Sequence, residues 1–489
     1  MRLYHSTRNE ARKVAADEAI LQGLAPDGGL FVPESFPTLD LNALLPLCAY
    51  VLFARVLSAL LDDYAQEEML HIVEAGYKNR FETSEVTPLV EVGGMHMLEL
   101  FHGPTCAFKD VALSLLPRFV TRAAKKQGVT DEIRVLTATS GDTGKAALAG
   151  FADVAGTSIV VFYPLGGVSE VQRLQMVTQS GANVRVCAVR GNFDDAQTGV
   201  KRIFSDEALN ERLCAQNVRL SSANSINLGR LAPQIAYYFK AYLDLVRAGT
   251  IRMGEQINFT VPTGNFGDIL AGDYARRMGL PIGRLVCASN ANNVLSDFIQ
   301  TGVYDRRRAF HRTASPSMDI LMSSNLERCL YHMGGDAALV HDMMGELSSK
   351  GTFTAPDSLM KNMRSVFSAG WANDETSFAA IGQLYDEAGY LMDTHTAVGR
   401  CVAESYMHTS GDDRPMVVLA TASPFKFAED VLRAVTGEVH AGFAALDHLS
   451  AACGLPVPKP LAGLTNLKEI HTDVVDASGM AHYVEEART

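Results

Sequence analysis

Short β-rich runs alternate with stretches of helical periodicity from about residue 130 onward, and this alternation constrains the fold more than any other feature. The predicted strands are residues 132–137, 158–163, 184–189, 218–220, 257–261 and 416–420. Helices are predicted over 144–152, over 169–177 and from Asn224 to about Gly249. Strands separated by helices of this length form βαβ crossovers, so the pattern predicts an α/β fold with open, mainly parallel sheets. In such sheets, ligands bind beyond the carboxyl ends of the strands.

The other regions have a different character. Residues 1–90 are more helical and are predicted to form a separate N-terminal lobe, followed by a catalytic region over 91–435 and a C-terminal extension over 436–489. Residues 300–395 are rich in helical patterns and are predicted to be an insertion or cap. The apolar stretch from 41 to 61 contains Pro46 and Arg55. A membrane span needs about 20 mostly apolar residues, so we expect a core helix there.

Composition excludes several classes of function. The 489 residues are 47% hydrophobic and 20% charged, which is typical of a globular chain of two to three domains or one large two-lobed enzyme. A net charge of −12 argues against a nucleic-acid partner. The eight cysteines form no CxxC pair, so neither a metal site nor a disulfide framework is expected, and the N-terminus has no apolar signal core. These features favour a cytoplasmic protein without a membrane anchor.

Lys109 is the first candidate for a reacting residue. It follows Ala107 and Phe108 and precedes an apolar run, so we expect its amine to be partly removed from water. Desolvation disfavours the ammonium and lowers its pKa, and a neutral amine can attack a carbonyl to form a Schiff base. The alternative from this segment alone is a surface lysine whose stem covers apolar neighbours.

The turn after the first predicted strand, residues 139–145, ends in Gly-Lys like a nucleotide-binding phosphate loop. That motif requires glycine where Thr139 stands and serine or threonine where Ala146 stands, so nucleoside triphosphate binding is not expected. What remains is a turn rich in hydroxyl groups and glycine that opens a helix. The free N–H groups of such a turn can hold a carboxylate.

Two further motifs follow predicted strands. Residues 262–268 contain Gly264 and Gly267 around Asn265, so the backbone can approach an anion at the start of a helix, although a plain loop is an equal alternative. Residues 421–427 begin with Thr421, whose hydroxyl could bond a heterocyclic nitrogen. The alternative for this segment is helix capping by Ser423 ahead of a proline.

Together these segments resemble the threonine synthase family of pyridoxal-phosphate enzymes, which have the tryptophan-synthase-β-like fold (fold type II). The resemblance covers nearly the whole chain. The matching segments are residues 4–8, 23–33, 102–110, 140–144, 169–176, 224–230, 264–267, 317–320 and 395–399. The lysine segment and the N-terminal Gly28-Gly29 stretch are the most specific, whereas the glycine loop marks only the wider fold group.

The resemblance implies a role for each matching position. Lys109 would hold pyridoxal 5'-phosphate and shuttle protons, and no metal is implied. The residues implied to bind the cofactor are Lys109, Asp142, Gly264, Asn265, Phe266, Gly267 and Thr421. Those implied to bind the substrate are Thr139, Ser140, Thr143, Arg173, Asn224 and Arg230, with Lys145 a further candidate for the leaving phosphate.

Asp142 and Cys106 depart from the family pattern. Relatives in the wider fold group place an asparagine where Asp142 stands, beside the 3'-oxygen of the cofactor, so the acid must share a proton or be balanced by another charge. Cys106 replaces a leucine-like residue, and residues 423–425 replace a more usual His-Pro-Ala. Neither the change at Cys106 nor the change at residues 423–425 removes a group that the chemistry requires.

The implied reaction converts O-phospho-L-homoserine and water into L-threonine and phosphate, in a monomer or homodimer. The alternatives are a threonine-synthase-like phospho-lyase, which would yield a keto acid and ammonia, and a serine or threonine dehydratase. A non-catalytic protein on this scaffold would be expected to lack Lys109 or the glycine loop, and both are present.

Overall fold

The computed structural model describes residues 1–139 and 141–487. The strands are β1 (Tyr4–Ser6), β2 (Asn9–Val14), β3 (Phe31–Pro33), β4 (Leu89–Val92), β5 (Met95–Glu99), β6 (Glu132–Ala138), β7 (Thr157–Pro164), β8 (Val184–Arg190), β9 (Val218–Ser222), β10 (Ile257–Pro262), β11 (Ile282–Ser289), β12 (Val303–Asp305), β13 (Thr352–Thr354), β14 (Phe367–Trp371), β15 (Met416–Ala420) and β16 (Asp473–Asp476). Every predicted strand is present, and its ends differ from the prediction by at most two residues.

Helices connect the strands throughout. They are α1 (Ala16–Gln22), α2 (Leu41–Leu44), α3 (Ala49–Leu60), α4 (Gln66–Tyr77), α5 (Lys109–Leu113), α6 (Leu116–Lys126), α7 (Asp142–Phe151), α8 (Glu170–Val177), α9 (Phe193–Ser205), α10 (Glu207–Ala215), α11 (Leu228–Arg247), α12 (Gly267–Arg277), α13 (Val294–Thr301), α14 (Leu326–Gly334), α15 (Ala337–Lys350), α16 (Asp357–Val366), α17 (Asp374–Ala388), α18 (Thr394–Ser410), α19 (Ala428–Thr436), α20 (Gly442–Cys453) and α21 (Met480–Glu486). The predicted helices at 144–152 and 169–177 are α7 and α8.

Two open sheets form the centre of the structure, which confirms the predicted α/β class. One has the strand order β14-β11-β10-β15-β5-β4 and is parallel except for β4, which runs antiparallel to β5. The other has the order β16-β8-β7-β6-β9 and is parallel throughout. The strands β7 and β10 are buried along their whole length, as expected for parallel strands covered by helices on both faces.

Helix α11 is the main buried helix, and 17 of its 20 residues are buried. It packs against α3, α5 and α12 and therefore connects the N-terminal helices to the catalytic region. It begins at Leu228, after Asn224 as predicted, and the Asn227 side chain caps it by accepting a hydrogen bond from the Gly229 N–H at 2.8 Å.

The N-terminal region combines helices with a small antiparallel sheet, of order β2-β1-β3. The stretch from 41 to 61 is not one core helix but two, α2 and α3, separated by a break around Pro46. The reason is that proline cannot supply the N–H that a continuous helix needs. Among residues 1–139 and 141–487, no helix has both the length and the apolar composition that crossing a membrane requires.

Residues 300–395 and the C-terminal residues both contribute strands that their helical patterns concealed. The segment predicted to be a helix-rich insertion contains β14, which pairs in parallel with β11 at the edge of the six-stranded sheet. Near the C-terminus, β16 pairs with β8 in the five-stranded sheet. Arg134 of β6 is buried and donates a 2.7 Å hydrogen bond to the Val484 carbonyl, which holds α21 against this sheet.

Gly150 lies where α7 crosses the lysine-bearing helix α5, and we expect it to be intolerant of a side chain. A Cβ at this position would collide with the Leu113 carbonyl oxygen. Gly150→Ala should therefore lower the free energy of unfolding by about 1–3 kcal/mol through overpacking. Gly345→Ala in α15 is the matched control because a Cβ there meets no atom within 4 Å, so it should raise stability by up to about 1 kcal/mol. Urea unfolding of both variants measures the difference, and equal effects would contradict this packing.

Candidate active site

The Lys109 side chain lies where the segments that follow β6 and β15 meet. Its Nζ is 3.4 Å from the Ser317 hydroxyl and 3.8 Å from Asp142 Oδ2, and it stands 4.6 Å from the centre of the Phe108 ring. Only 11% of the side chain is exposed. Burial lowers the pKa of the Lys109 amine to about 8, despite the opposing charge of Asp142. A fraction of the amine is therefore neutral at neutral pH.

A buried carboxylate shapes the backbone ahead of this lysine. Asp110 accepts hydrogen bonds from the Thr105 N–H at 2.8 Å and from the Thr105 hydroxyl at 2.6 Å. Gly103 is required here because a Cβ would lie 2.5 Å from the Asp110 side chain. Cys106 adopts a φ of 59°, which an L-residue rarely does, so the segment is held in a strained turn by the contacts around it.

The lysine segment is also attached to the segment that follows β15. The Phe108 N–H donates to the Thr421 carbonyl at 2.8 Å, and the Ser423 N–H donates to the Cys106 carbonyl at 3.0 Å. Thr421 is buried, and among the described residues its hydroxyl has no hydrogen-bond partner. Ser423 caps the following turn, as one of the two interpretations of this segment proposed.

Asp142 is the most highly connected acid of the site. Its Oδ1 lies 2.7 Å from the Lys426 ammonium and accepts a 3.1 Å hydrogen bond from the Gln172 amide. Its Oδ2 accepts a 3.1 Å bond from the Ser317 hydroxyl and faces Lys109. Burial by itself would raise the pKa of Asp142, but the charges of Lys426 and Lys109 hold it well below the usual range. The acid is thus balanced by cations and ionised.

Four residues of this network, Gln172, Ser317, His395 and Lys426, were not assigned a role from the sequence. Lys426 belongs to the segment after β15, and the local sequence pattern did not indicate that its side chain is buried. His395 lay in a matching segment, and its Nδ1 donates to Asp393 at 2.7 Å while its Nε2 accepts from the Ser317 N–H at 3.1 Å. Asp393 and His395 together therefore fix the turn that carries the Ser317 hydroxyl.

The glycine loop after β10, which the sequence predicts to bind an anion, leads directly into the start of α12. The amide N–H groups of its four residues, Gly264, Asn265, Phe266 and Gly267, donate no hydrogen bond to any described residue. Phe266 has a φ of 61° and leads into α12, so the free N–H groups of the helix start are added to those of the loop. At Gly264 a Cβ would lie 2.7 Å from the Ser317 carbonyl oxygen, so the close approach of these two segments requires glycine.

The predicted substrate-binding residues have different environments. The Thr139 hydroxyl accepts hydrogen bonds from the N–H groups of Gly141 and Gly144, both at 2.9 Å, and so caps α7. Thr143 in α7 and Asn224 before α11 are partly exposed, and no described group bonds either side chain. Ser140 lies outside the described residues.

The three predicted cations differ in how fully they are already paired. Arg173 makes four hydrogen bonds to Glu170 and Glu469, each between 2.8 and 2.9 Å. Arg230 is buried, bonds the Ala223 carbonyl at 2.6 Å and leaves its Nε without a partner in the described chain. Burial lowers the pKa of Arg230 to about 10. Burial likewise lowers the pKa of Lys145, whose ammonium contacts Gln179, to about 8.

These residues fit the cofactor that the family resemblance implies. A partly neutral buried amine suits an aldehyde, and a loop with unpaired N–H groups suits a phosphate ester. The unpartnered Thr421 hydroxyl suits a ring nitrogen.

Comparison with protein families identifies three consecutive matches along the chain. Residues 3–77 match the family model described as "Threonine synthase N terminus", and residues 84–360 match "Pyridoxal-phosphate dependent enzyme". Residues 396–484 match "Threonine synthase, C-terminal".

Individual relatives give the same result. The chain is 38% identical to threonine synthase from Saccharomyces cerevisiae over 468 residues, which cover 89% of each protein. It is 40% identical to human threonine synthase-like 1 over 442 residues, which cover 87% of this chain and 59% of the human protein, so it spans less than two thirds of that relative. A structure of PLP-bound threonine synthase from Brucella melitensis superposes with a TM-score of 0.86 at 38% identity, covering 100% of this chain and 99% of the other.

The lowered pKa of Lys109 predicts its chemical reactivity. In full-length protein stripped of cofactor, acylation of Lys109 by a small amine-reactive acylating reagent should reach half its maximal rate near pH 8, about 2.5 pH units below an ordinary lysine. Asp142→Asn removes the carboxylate that opposes this shift, so its midpoint should be lower. Peptide mass spectrometry across a pH series measures both values, and a wild-type midpoint near 10 would contradict the buried geometry.

Proposed function

The chain belongs to the threonine synthase family of pyridoxal-phosphate dependent enzymes, and from this premise we propose that it converts O-phospho-L-homoserine and water into L-threonine and phosphate. The reaction is a γ-elimination followed by addition of water at the β-carbon. The observation that carries the proposal is the buried Lys109 amine, which lies beside the ionised Asp142. Pyridoxal 5'-phosphate, when bound, supplies an electron sink that stabilises negative charge on the substrate carbons.

Lys109 is the group that moves protons. The reaction needs removal of the α-proton and then a β-proton, loss of phosphate, and protonation at the γ-carbon. An amine whose pKa is about 8 has roughly a tenth of its population neutral at pH 7 and can both accept and return a proton. The Ser317 hydroxyl, 3.4 Å from the amine, orients it, and the His395 contact holds Ser317 in place.

The backbone and the hydroxyl groups bind and orient. The N–H groups of Gly264 to Gly267 would hold the cofactor phosphate, and the Thr421 hydroxyl would face the ring nitrogen. A hydroxyl at that nitrogen does not protonate it, which would limit how far the negative charge spreads into the ring. Thr139 and Thr143 would hold the substrate carboxylate, and the family resemblance assigns the same role to Ser140, which lies outside the described residues.

The leaving phosphate needs a cation, and Arg230 is the better supported of the two predicted arginines. It is buried in α11 with an unpartnered Nε, so its positive charge is only partly satisfied by the protein. The guanidinium of Arg173 is already paired with two carboxylates. Lys145 remains a further candidate.

A second candidate function is a phospho-lyase that releases phosphate and yields 2-oxobutyrate and ammonia. This alternative stays open because the chain is 40% identical to human threonine synthase-like 1 and 38% identical to the yeast threonine synthase, so identity does not single out the synthases. The same lysine, glycine loop and cation would serve either reaction, since the two differ in the fate of the intermediate after phosphate has left.

The remaining features of the proposal concern location and assembly. A cytoplasmic protein is supported by eight cysteines that are all free. The net charge of −12 supports a small-molecule substrate rather than nucleic acid as the partner. A monomer or homodimer is proposed from the family resemblance.

Product analysis tests the proposed reaction directly. Purified protein loaded with pyridoxal phosphate is incubated with O-phospho-L-homoserine, and threonine, 2-oxobutyrate and phosphate are quantified together. We expect one threonine for each phosphate. Phosphate accompanied by 2-oxobutyrate would establish the lyase instead, and no phosphate would contradict both. A Lys109→Ala variant is the control and should form none of the three products.

Substitution of the two arginines tests the phosphate contact. A charge-assisted hydrogen bond contributes about 1.5–3 kcal/mol, so Arg230→Ala should raise KM for the phosphorylated substrate about 10- to 150-fold while changing cofactor affinity much less. Arg173→Ala should change KM by less than about twofold, because that guanidinium is occupied by Glu170 and Glu469. Steady-state kinetics measure KM and absorbance titration measures cofactor affinity. If Arg173→Ala raised KM more than Arg230→Ala, Arg173 would be the residue that binds the substrate phosphate.

A further inference from the structure

Lys426 joins three segments of the active site. Its ammonium donates to the Thr105 carbonyl at 2.9 Å and lies 2.7 Å from Asp142 Oδ1, and its side chain has no exposed surface. Thr105 belongs to the lysine segment and Asp142 begins α7, whereas Lys426 itself follows β15. The cation therefore does not merely neutralise a charge, because its position fixes where the carboxylate can point.

Asp142 faces two cations at unequal distances. Lys426 contacts one carboxylate oxygen at 2.7 Å, while Lys109 lies 3.8 Å from the other. The oxygen nearer to Lys109 also accepts the Ser317 hydroxyl proton. A buried carboxylate pairs most strongly with the cation that it contacts directly. Since Lys426 holds that place, Lys109 is left in a loose contact from which its proton can depart.

We propose that Lys426 is a positioning residue for Lys109. It keeps Asp142 ionised and pairs directly with Asp142 Oδ1, so that the Lys109 amine is not held as an ammonium by the same carboxylate. The inference rests on the proposed function, because that function requires Lys109 to react as a free amine and therefore to lose its proton. Without Lys426, Lys109 would be the one described cation within ion-pair distance of Asp142, beside the hydrogen bonds from Gln172 and Ser317.

Other charges near Lys109 do not replace this contact. The charged and titratable groups around Lys109 and its partners are Asp110 on its own helix, Asp142 and Lys145 on α7, Arg230 on α11, Asp268 on α12, His395 on α18, and Lys426. Among the described residues, Asp142 is the acid within ion-pair distance of Lys109. Burial lowers the pKa of Lys109, Asp142 opposes this, and Lys426 adds to it. Removing Lys426 must therefore raise that pKa.

The test follows Lys109 acylation against pH in full-length, cofactor-stripped protein. For Lys426→Met we expect a midpoint well above pH 8 and a labelling rate at pH 7 that falls about tenfold. Lys426→Arg retains the cation and should restore most of the rate. A midpoint for Lys426→Met that equals the wild-type value overturns the proposal.

A matched control separates positioning from stability. Lys240 is also a buried lysine, and its ammonium lies 2.6 Å from Asp244 in an ion pair on α11. Lys240→Met should lower the unfolding temperature without moving the Lys109 midpoint. If Lys426→Met does not fold, Lys426→Gln keeps a hydrogen-bond donor without the charge, and the same comparison of midpoints decides the question.

The outcome is distinguishable from failure of the proposed function. Labelling reports the protonation of Lys109 in the absence of substrate, whereas product analysis of the wild-type protein reports the reaction. A wild-type protein that forms no threonine contradicts the reaction, and an unchanged midpoint contradicts the role of Lys426.

Discussion

The buried carboxylate of Asp142 organises the site. A carboxylate removed from water must be compensated by hydrogen bonds and opposite charge, and each compensating group here comes from a different segment of the chain. Lys426 follows β15, Gln172 belongs to α8, and Ser317 lies in the segment before α14. The need to satisfy one acid therefore draws together segments from both sheets, and Lys109 lies among them.

The lysine segment shows how local strain is maintained by tertiary contacts. Cys106 has a positive φ that its side chain does not favour, and nothing in its immediate sequence requires that conformation. The Asp110 carboxylate closes the turn on one side, and two backbone hydrogen bonds to the segment after β15 hold it on the other. The backbone is therefore fixed before the helix begins, so the direction of the Lys109 side chain is set by the scaffold rather than by the helix alone.

The site also illustrates why such chemistry is placed at the carboxyl ends of parallel strands. The segments after β6, β10 and β15 carry the acid, the glycine loop and the buried cation, and helices α7 and α12 begin there with N–H groups that bond no described residue. Negative groups are favoured at those helix starts. A site that handles a phosphorylated substrate and a phosphorylated cofactor can thus exist in a protein whose net charge is −12.

The sequence by itself determined the α/β class, the six strands that it predicted and the motif positions, because these depend on local periodicity and on the conformational demands of glycine and proline. Thus β6 to β10 and β15 were predicted to within two residues. It did not reveal the interior strand β11 or the edge strands β14 and β16. The two edge strands are short, have little pattern of their own and form by pairing with β11 and β8. Likewise, Lys109 could be selected as the reacting residue from its motif, but the pairing of Asp142 with Lys426 could not. Those two residues are 284 positions apart, and only folding brings their charges into contact and removes the water that would otherwise weaken it.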